Sequence, residues 1–390
     1  MKLITTTMAA LAMTATSAIA QCGGTFESFV NGLKAEAISK GHSQPHVDNF
    51  FANVAHDPSV IKADRSQGVF QKDFLSFSRA LISNHRITHG ARNLDKYKAI
   101  FDQMEKQYGV NRGVLAAFWA FETDFGANQG NFNTLNALVT LSHDCRRPEL
   151  FRPQVFAALE LYETDDFHPV NTKGAWAGEI GMIQMLPEDI IRNGVDGDGD
   201  GRVDLQKSPA DALLTGARML SVMGWRANEP WLQEVVVPQN LNWEASGLDK
   251  QYPVSQWVAA GVKGRHGALF GNDTPASLLL PMGRKGPAFL AYPNFHVYFE
   301  WNKSFVYVTT AAYFATRLEG APMYDAGTPD TGLQGEAMMA LQRKLVARGH
   351  DVGKIDGILG AKTRAAVQAE QIRLGMPADA WPTPDLLNRL

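Results

Sequence analysis

Glu122 closes an almost wholly apolar run, Val114-Leu-Ala-Ala-Phe-Trp-Ala-Phe-Glu-Thr-Asp-Phe-Gly126, and a carboxyl group in that company suits general-acid chemistry. Desolvation penalises its ionised form, and the negative end of a helix dipole penalises it further. Both effects favour a glutamic acid that keeps its proton near neutral pH and can give it to a leaving oxygen. The plainer reading is a helix-end glutamate turned to solvent or paired with an arginine.

A second constellation is Asp196-Gly-Asp198-Gly-Asp200-Gly201-Arg202-Val-Asp204, with carboxylates at loop positions 1, 3 and 5 and glycine at 6. A hard cation such as Ca²⁺ needs several converging oxygens at this spacing. Lys207 holds the twelfth position, so the closing ligand must come from elsewhere, with Asp211 as the first candidate. Arg202 would offer its backbone carbonyl, and Asp204 would act through water. The set contains no group able to activate water, so it suits a structural staple better than catalysis. An acidic turn without metal is the bland alternative.

Upstream, Ala175-Trp-Ala-Gly-Glu-Ile-Gly181-Met-Ile-Gln184-Met-Leu-Pro187 has the small residues that let a backbone approach another group closely. Gln184, polar among Met and Ile, is either a satisfied core amide or a ligand for a polar substrate. Glu300-Trp-Asn302-Lys-Ser-Phe-Val-Tyr307 sets aromatic faces beside an amide, a pairing that suits sugars, although such spacing is also common in cores.

These groups need elements to hold them. Phe118, Phe121 and Phe125 at i, i+3, i+7 predict a helix that begins near the cap candidate Asn111 and stops at Gly126. Helical apolar spacing also runs through residues 26–38, 94–108 and 307–318. From 231 to 301 the texture changes to short apolar runs cut by Gly, Pro and Asn, which predicts a small β subdomain over about 230–300. Residues 319–330 are rich in Gly, Pro and small side chains and read as a linker. A module of about 60 residues follows, with helices marked by Leu333 to Leu345 and by Thr363 to Ile372 around the turn Asp356-Gly-Ile-Leu-Gly360. The expected organisation is a leader (1–20), a catalytic unit (21–320), a linker (321–331) and a terminal module (332–390).

The chain of 390 residues is 45% hydrophobic and 20% charged, an ordinary globular balance. Its formal charge is −3, or −4 once Lys2 leaves with the leader, and no basic stripe points to nucleic acid. Met1 to Ala20 reads as a secretory signal ending in Ala18-Ile-Ala20, too short for a stable membrane span. Gln21 before Cys22 argues against a lipid anchor there. In an exported chain the two cysteines, Cys22 and Cys145, are expected to pair.

Taken together, Phe121-Glu-Thr-Asp-Phe-Gly126, Cys145-Arg-Arg-Pro148, Gly174-Ala-Trp-Ala-Gly-Glu-Ile-Gly181, the Asp196 loop, Gly286-Pro-Ala-Phe-Leu290 and Trp301-Asn302 resemble the membrane-bound B type of lytic murein transglycosylase. The resemblance implies a mainly α (α+β) protein: a lysozyme-like core with helical and small β subdomains. It implies cleavage of the MurNAc-GlcNAc bond of peptidoglycan without water, leaving a 1,6-anhydromuramoyl end, in the periplasm. The catalytic acid would be Glu122, and the substrate contacts Gln184, Asn302, Tyr307, Arg146 and Arg147. Asp196, Asp198, Asp200, the Arg202 carbonyl and Asp211 would hold a structural Ca²⁺, with no cofactor required for the chemistry. Glycan strands would be the partner of a monomeric enzyme. From Leu333 onward the tail resembles a three-helix peptidoglycan-binding module. Ala175 stands where a serine is frequent, Trp301 where tyrosine is common, and Glu370 at a position usually aromatic. A lysozyme-type muramidase and a noncatalytic wall-binding protein are the rival expectations.

Overall fold

The computed structural model describes residues 22–66 and 72–390; the expected leader lies outside the described residues. Six helices, Phe26–Ser39, Gln44–Phe51, Pro58–Arg65, Phe74–Leu81, Asn84–Lys96 and Lys98–Tyr108, lead into the central helix Arg112–Thr123. Most of the six start on a Ser, Thr or Asp side chain that accepts from a first-turn amide, as at Thr25, Ser43, Asp57, Asp73 and Ser83. The periodicity of 94–108 spans two helices rather than one. Tyr97 leaves helical geometry at φ −105° and ψ 26° and packs its ring 5.5 Å from that of Trp119.

The central helix is apolar all round and is accordingly buried all round, from Gly113 to Ala120. Phe118 stacks on Trp301 with centroids 4.3 Å apart, and Phe121 stacks on Phe314 at 5.1 Å, so the helix is clasped by Pro293–Trp301 and Phe305–Leu318. It ends at Thr123, three residues earlier than the spacing predicts. Asp124, Phe125 and Gly126 all take positive φ, 52°, 60° and 88°, and the amides of Asp124 and Phe125 bond back to Ala120 and Trp119. Phe125 therefore packs from a left-handed turn, and Glu122 lies in the last turn.

Thr134–His143, Pro148–Glu163, Pro187–Asn193 and Pro209–Val222 complete the helical body. Cys22 and Cys145 are bonded, and Gly23 donates to the His143 carbonyl at 3.0 Å beside them. A five-stranded antiparallel sheet follows in the order Tyr252–Pro253, Pro275–Leu279, Phe289–Ala291, Leu232–Val236, Lys263–Gly264. Leu232 and Ser277 both pair with Ala291, and Val235, Trp257, Leu278, Leu290 and Tyr292 form a separate apolar cluster on this sheet. Among the described residues no helix is long and apolar enough to cross a membrane.

Residues 321–334 have no regular secondary structure, yet they do not hang free. Tyr324 is buried, its hydroxyl 2.8 Å from Ser78 Oγ, and its amide donates to Tyr313 Oη. The terminal module then packs helices Gly335–Ala347, Ala361–Arg373 and Pro384–Arg389 around Leu341, Leu345, Val367 and Leu386. Buried Gln342 holds its turn by accepting from the amides of Asp356 and Gly357. Gly357 is at φ 76°, a conformation that glycine adopts at no steric cost.

Candidate functional site

Glu122 reaches its position because the apolar run forces the helix into the core while the left-handed turn frees its last face. Protein atoms crowd the carboxyl on nearly every side, although one face keeps the residue half-buried rather than sealed. Tyr307 Oη donates to Glu122 Oε1 at 2.5 Å, and Trp301 Nε1 donates to the same oxygen at 3.2 Å. Burial pushes the Glu122 carboxyl up to about 7; the two donors pull it down, and the Glu179 charge adds to the rise. No cation figures among the groups that set it. Burial and the Glu122 charge push Tyr307 well above its ordinary value, so it remains a donor.

Gln184 sits on a tight turn. Ile180 and Met185 exchange backbone hydrogen bonds of 2.8 and 3.0 Å, and Gln184 itself takes φ 53°. Its amide nitrogen donates to the carbonyls of Gly181 and Gln129, which leaves Oε1 as the end of the side chain able to accept. Thr123 Oγ1 donates to Met182 O at 2.6 Å and so ties this turn to the end of the Glu122 helix. Three non-glycine residues in the left-handed region, Asp124, Phe125 and Gln184, thus lie on two turns joined by the Thr123–Met182 hydrogen bond, and backbone strain of this kind concentrates at functional sites.

Asn302 caps the helix Pro293–Trp301, and its Oδ1 accepts from the Ser304 amide at 2.8 Å; Ser304 in turn caps the helix that carries Tyr307. Arg146 and Arg147 are both held by the carboxylate of Asp64, which is only 2% exposed. Arg147 also acts electrostatically on Glu179, a carboxyl that burial pushes up and whose Oε2 has no hydrogen-bond partner. Trp301 as a donor and Asp64 as a clamp escaped the sequence reading. Trp301 had a signal, since it adjoins Asn302 and follows Tyr298 by three residues on one helix face; Asp64 had none.

The acidic loop brings carboxylate oxygens of Asp196, Asp198 and Asp211 within 4.8 Å of one another. Asp200 lies outside this trio and accepts from the Arg202 amide at 2.9 Å. Asp211 is oriented by the amides of Gly197 and Asp204, both 2.8 Å away. The donor set is all oxygen and fits a hard cation. Beyond the loop, Leu205 accepts from the Met182 amide at 2.8 Å, so the loop backs the Gln184 turn.

Residues 25–316 match the transglycosylase SLT domain family, and residues 334–390 match a peptidoglycan-binding domain family. The membrane-bound lytic murein transglycosylase B of Escherichia coli K12 is 28% identical over 275 residues, 69% of this chain and 73% of that protein. SltB3 of Pseudomonas aeruginosa, solved with NAG-anhNAM-pentapeptide, is 35% identical with a TM-score of 0.86, covering 94% of this chain and 99% of that one. Slt35 of Escherichia coli, solved with calcium, shares the fold at 24% identity and TM-score 0.66, over 78% of this chain and 97% of that one.

Proposed function

The chain belongs to the transglycosylase SLT family and is a lytic murein transglycosylase, and from that premise we propose that Glu122 is its acid and then its base. The glycosidic bond between muramoyl C1 and the leaving oxygen breaks as Glu122 hands that oxygen its proton. The muramoyl N-acetyl group stabilises the electron-poor C1. Glu122, now a carboxylate, takes the proton of the C6 hydroxyl, and O6 closes on C1 to give the 1,6-anhydro ring. The proton count returns to its starting value and no water is consumed.

The observation that carries this reading is a crowded carboxyl with two neutral donors, no cation among the groups that set its proton affinity, and a value raised to about 7. An ordinary glycosidase needs a second ionised carboxylate. The carboxyl whose charge bears on Glu122 is Glu179, and burial favours its neutral form as well. Substrate assistance fits that shortage. Gln184 Oε1, Asn302 and the two arginines held by Asp64 would then contact the sugar and its peptide. Glu122→Gln is expected to lower turnover of purified sacculi by ~10³-fold or more at unchanged fold. Mass spectrometry of the products from the parent should show ends lighter by one water than reducing ends; reducing ends alone would mean a hydrolase.

The trio of Asp196, Asp198 and Asp211, with Asp200 and the Arg202 carbonyl, would hold Ca²⁺ as a staple. Chelation is expected to lower the melting temperature by several degrees, restored by Ca²⁺ and much less by Mg²⁺; a melting curve indifferent to chelator would remove the metal from the reading. The disulfide and the cell-wall substrate support an exported, periplasmic enzyme whose terminal module adds hold on glycan strands.

A further inference from the structure

Arg364 belongs to the terminal module, yet it is spent on the catalytic body. Its guanidinium donates to the carbonyls of Leu280 and Pro281, at 3.4 and 2.8 Å, and lies 4.6 Å from the ring centroid of Phe305. Among the described residues it makes no ion pair, and its Nε is buried without a partner. The acid whose charge bears on it, Asp379, already accepts from Gln371, the Arg284 amide and the Trp381 amide. Burial pushes the guanidinium down to about 10, so it is still a cation at neutral pH. The residue as a whole is half-buried, with its Nε covered, and holding a cation there without a carboxylate partner carries a cost that points to a role.

Phe305 is where that role shows. It opens the helix Phe305–Leu318, two residues before Tyr307, and follows the corner in which Asn302 Oδ1 accepts from the Ser304 amide and Ser304 Oγ accepts from the Tyr307 amide. Neighbouring contacts fasten the same joint. Gln368 donates to the Ser246 and Trp243 carbonyls, Trp381 Nε1 donates to Asp330 O, and Gly283 at φ 75° lies so close to Trp381 that any side chain there would clash.

We infer that the terminal module is an internal brace of the catalytic centre, in which Arg364 is a positioning residue that pins the 302–305 corner and thereby holds the Tyr307 hydroxyl against Glu122. The inference rests on the reading of Glu122 given above. Misplacing a donor by about 1 Å costs a catalytic site up to ~100-fold in rate, without any change in what the substrate touches.

The test is steady-state kinetics of the full chain on a soluble murein tetrasaccharide, with Arg364→Leu, Arg364→Lys and Glu122→Gln side by side. Arg364→Leu is expected to lose ~10-fold or more in kcat with KM within about two-fold, and Arg364→Lys, which keeps a cation over Phe305, to recover part of that loss. Parental kcat in Arg364→Leu, or a loss confined to KM, overturns the brace. Should Arg364→Leu fail to fold, Arg364→Lys decides: a lower kcat at unchanged KM supports the brace, and parental kcat overturns it. Activity in Glu122→Gln would instead sink the assignment of the acid, whatever the Arg364 variants do.

Discussion

Two glutamates, one in each part of the molecule, show how surroundings choose a carboxyl's task. Glu122 and Glu370 are both held among protein atoms and hydrogen bonds. Around Glu370 the partners are His350 at 2.8 Å, Arg373 Nε at 2.8 Å and Arg348 at 3.8 Å. Burial pushes it up, but Arg373 and His350 outweigh that and leave it below its ordinary value. It lies near the module surface, covered mainly by its own partners. Among the described residues Glu122 is met by an indole and a phenol, and its carboxyl rises to about 7. A covered carboxyl matched by cations is favoured as an anion; one matched by neutral donors keeps its proton more readily, as the role proposed for Glu122 requires. Asp64, at 2% exposure, is likewise met by two arginines.

The contrast is broken most sharply at Tyr307. Tyr307→Phe removes a donor that lowers the Glu122 carboxyl, and kcat is expected to fall by ~10–100-fold as the anionic state of Glu122 loses its support. Because the acid works protonated, activity should decline as pH rises through about 7 in the parent. In Tyr307→Phe that decline should move to higher pH; a limb that stays in place would separate Tyr307 from the titration.

Glu122→Gln sharpens the comparison through stability. The folded carboxyl titrates at about 7 against an ordinary 4.5, so the folded state binds the proton more tightly than the unfolded chain does. Its contribution is full below about 4.5 and is lost as pH rises to about 7. Glutamine has no charge to bury. The variant should melt close to the parent at pH 4 and above it at pH 8, by on the order of 2 kcal/mol. Equal melting at both pH values would mean that the carboxyl is not strained. The smallest expected effect is at Glu370→Gln, which weakens the module by about 1 kcal/mol, read as a lower melting temperature, and leaves kcat on the soluble tetrasaccharide within error.

Much of this arrangement can be read along the chain, because its causes are local. An apolar run at helical spacing makes a buried helix, and a carboxyl at its end inherits that burial; Ser, Thr and Asp before such runs start helices; short apolar runs cut by Gly, Pro and Asn make the sheet. The trio Asp196, Asp198 and Asp211 is half local, since a loop sets the first two and a following helix brings the third. What local rules misplace is instructive. The end of the Glu122 helix and the break at Tyr97 both went to tertiary packing, which drew Phe125 and Tyr97 against Trp119.

The sequence by itself determined that a glutamic acid would be carried into apolar packing, that an oxygen-rich loop would stand nearby, and that a small helical module would follow an irregular segment. Tertiary structure alone decided who meets that glutamic acid. Tyr307 and Trp301 reach it from 185 and 179 residues away, Asp64 clamps arginines 82 and 83 residues downstream, and Arg364 arrives at Leu280 and Pro281 across 84 and 83. The reason is physical: desolvation follows from the neighbours in sequence, whereas the donors and cations that decide what a desolvated carboxyl does are delivered by packing between distant helices.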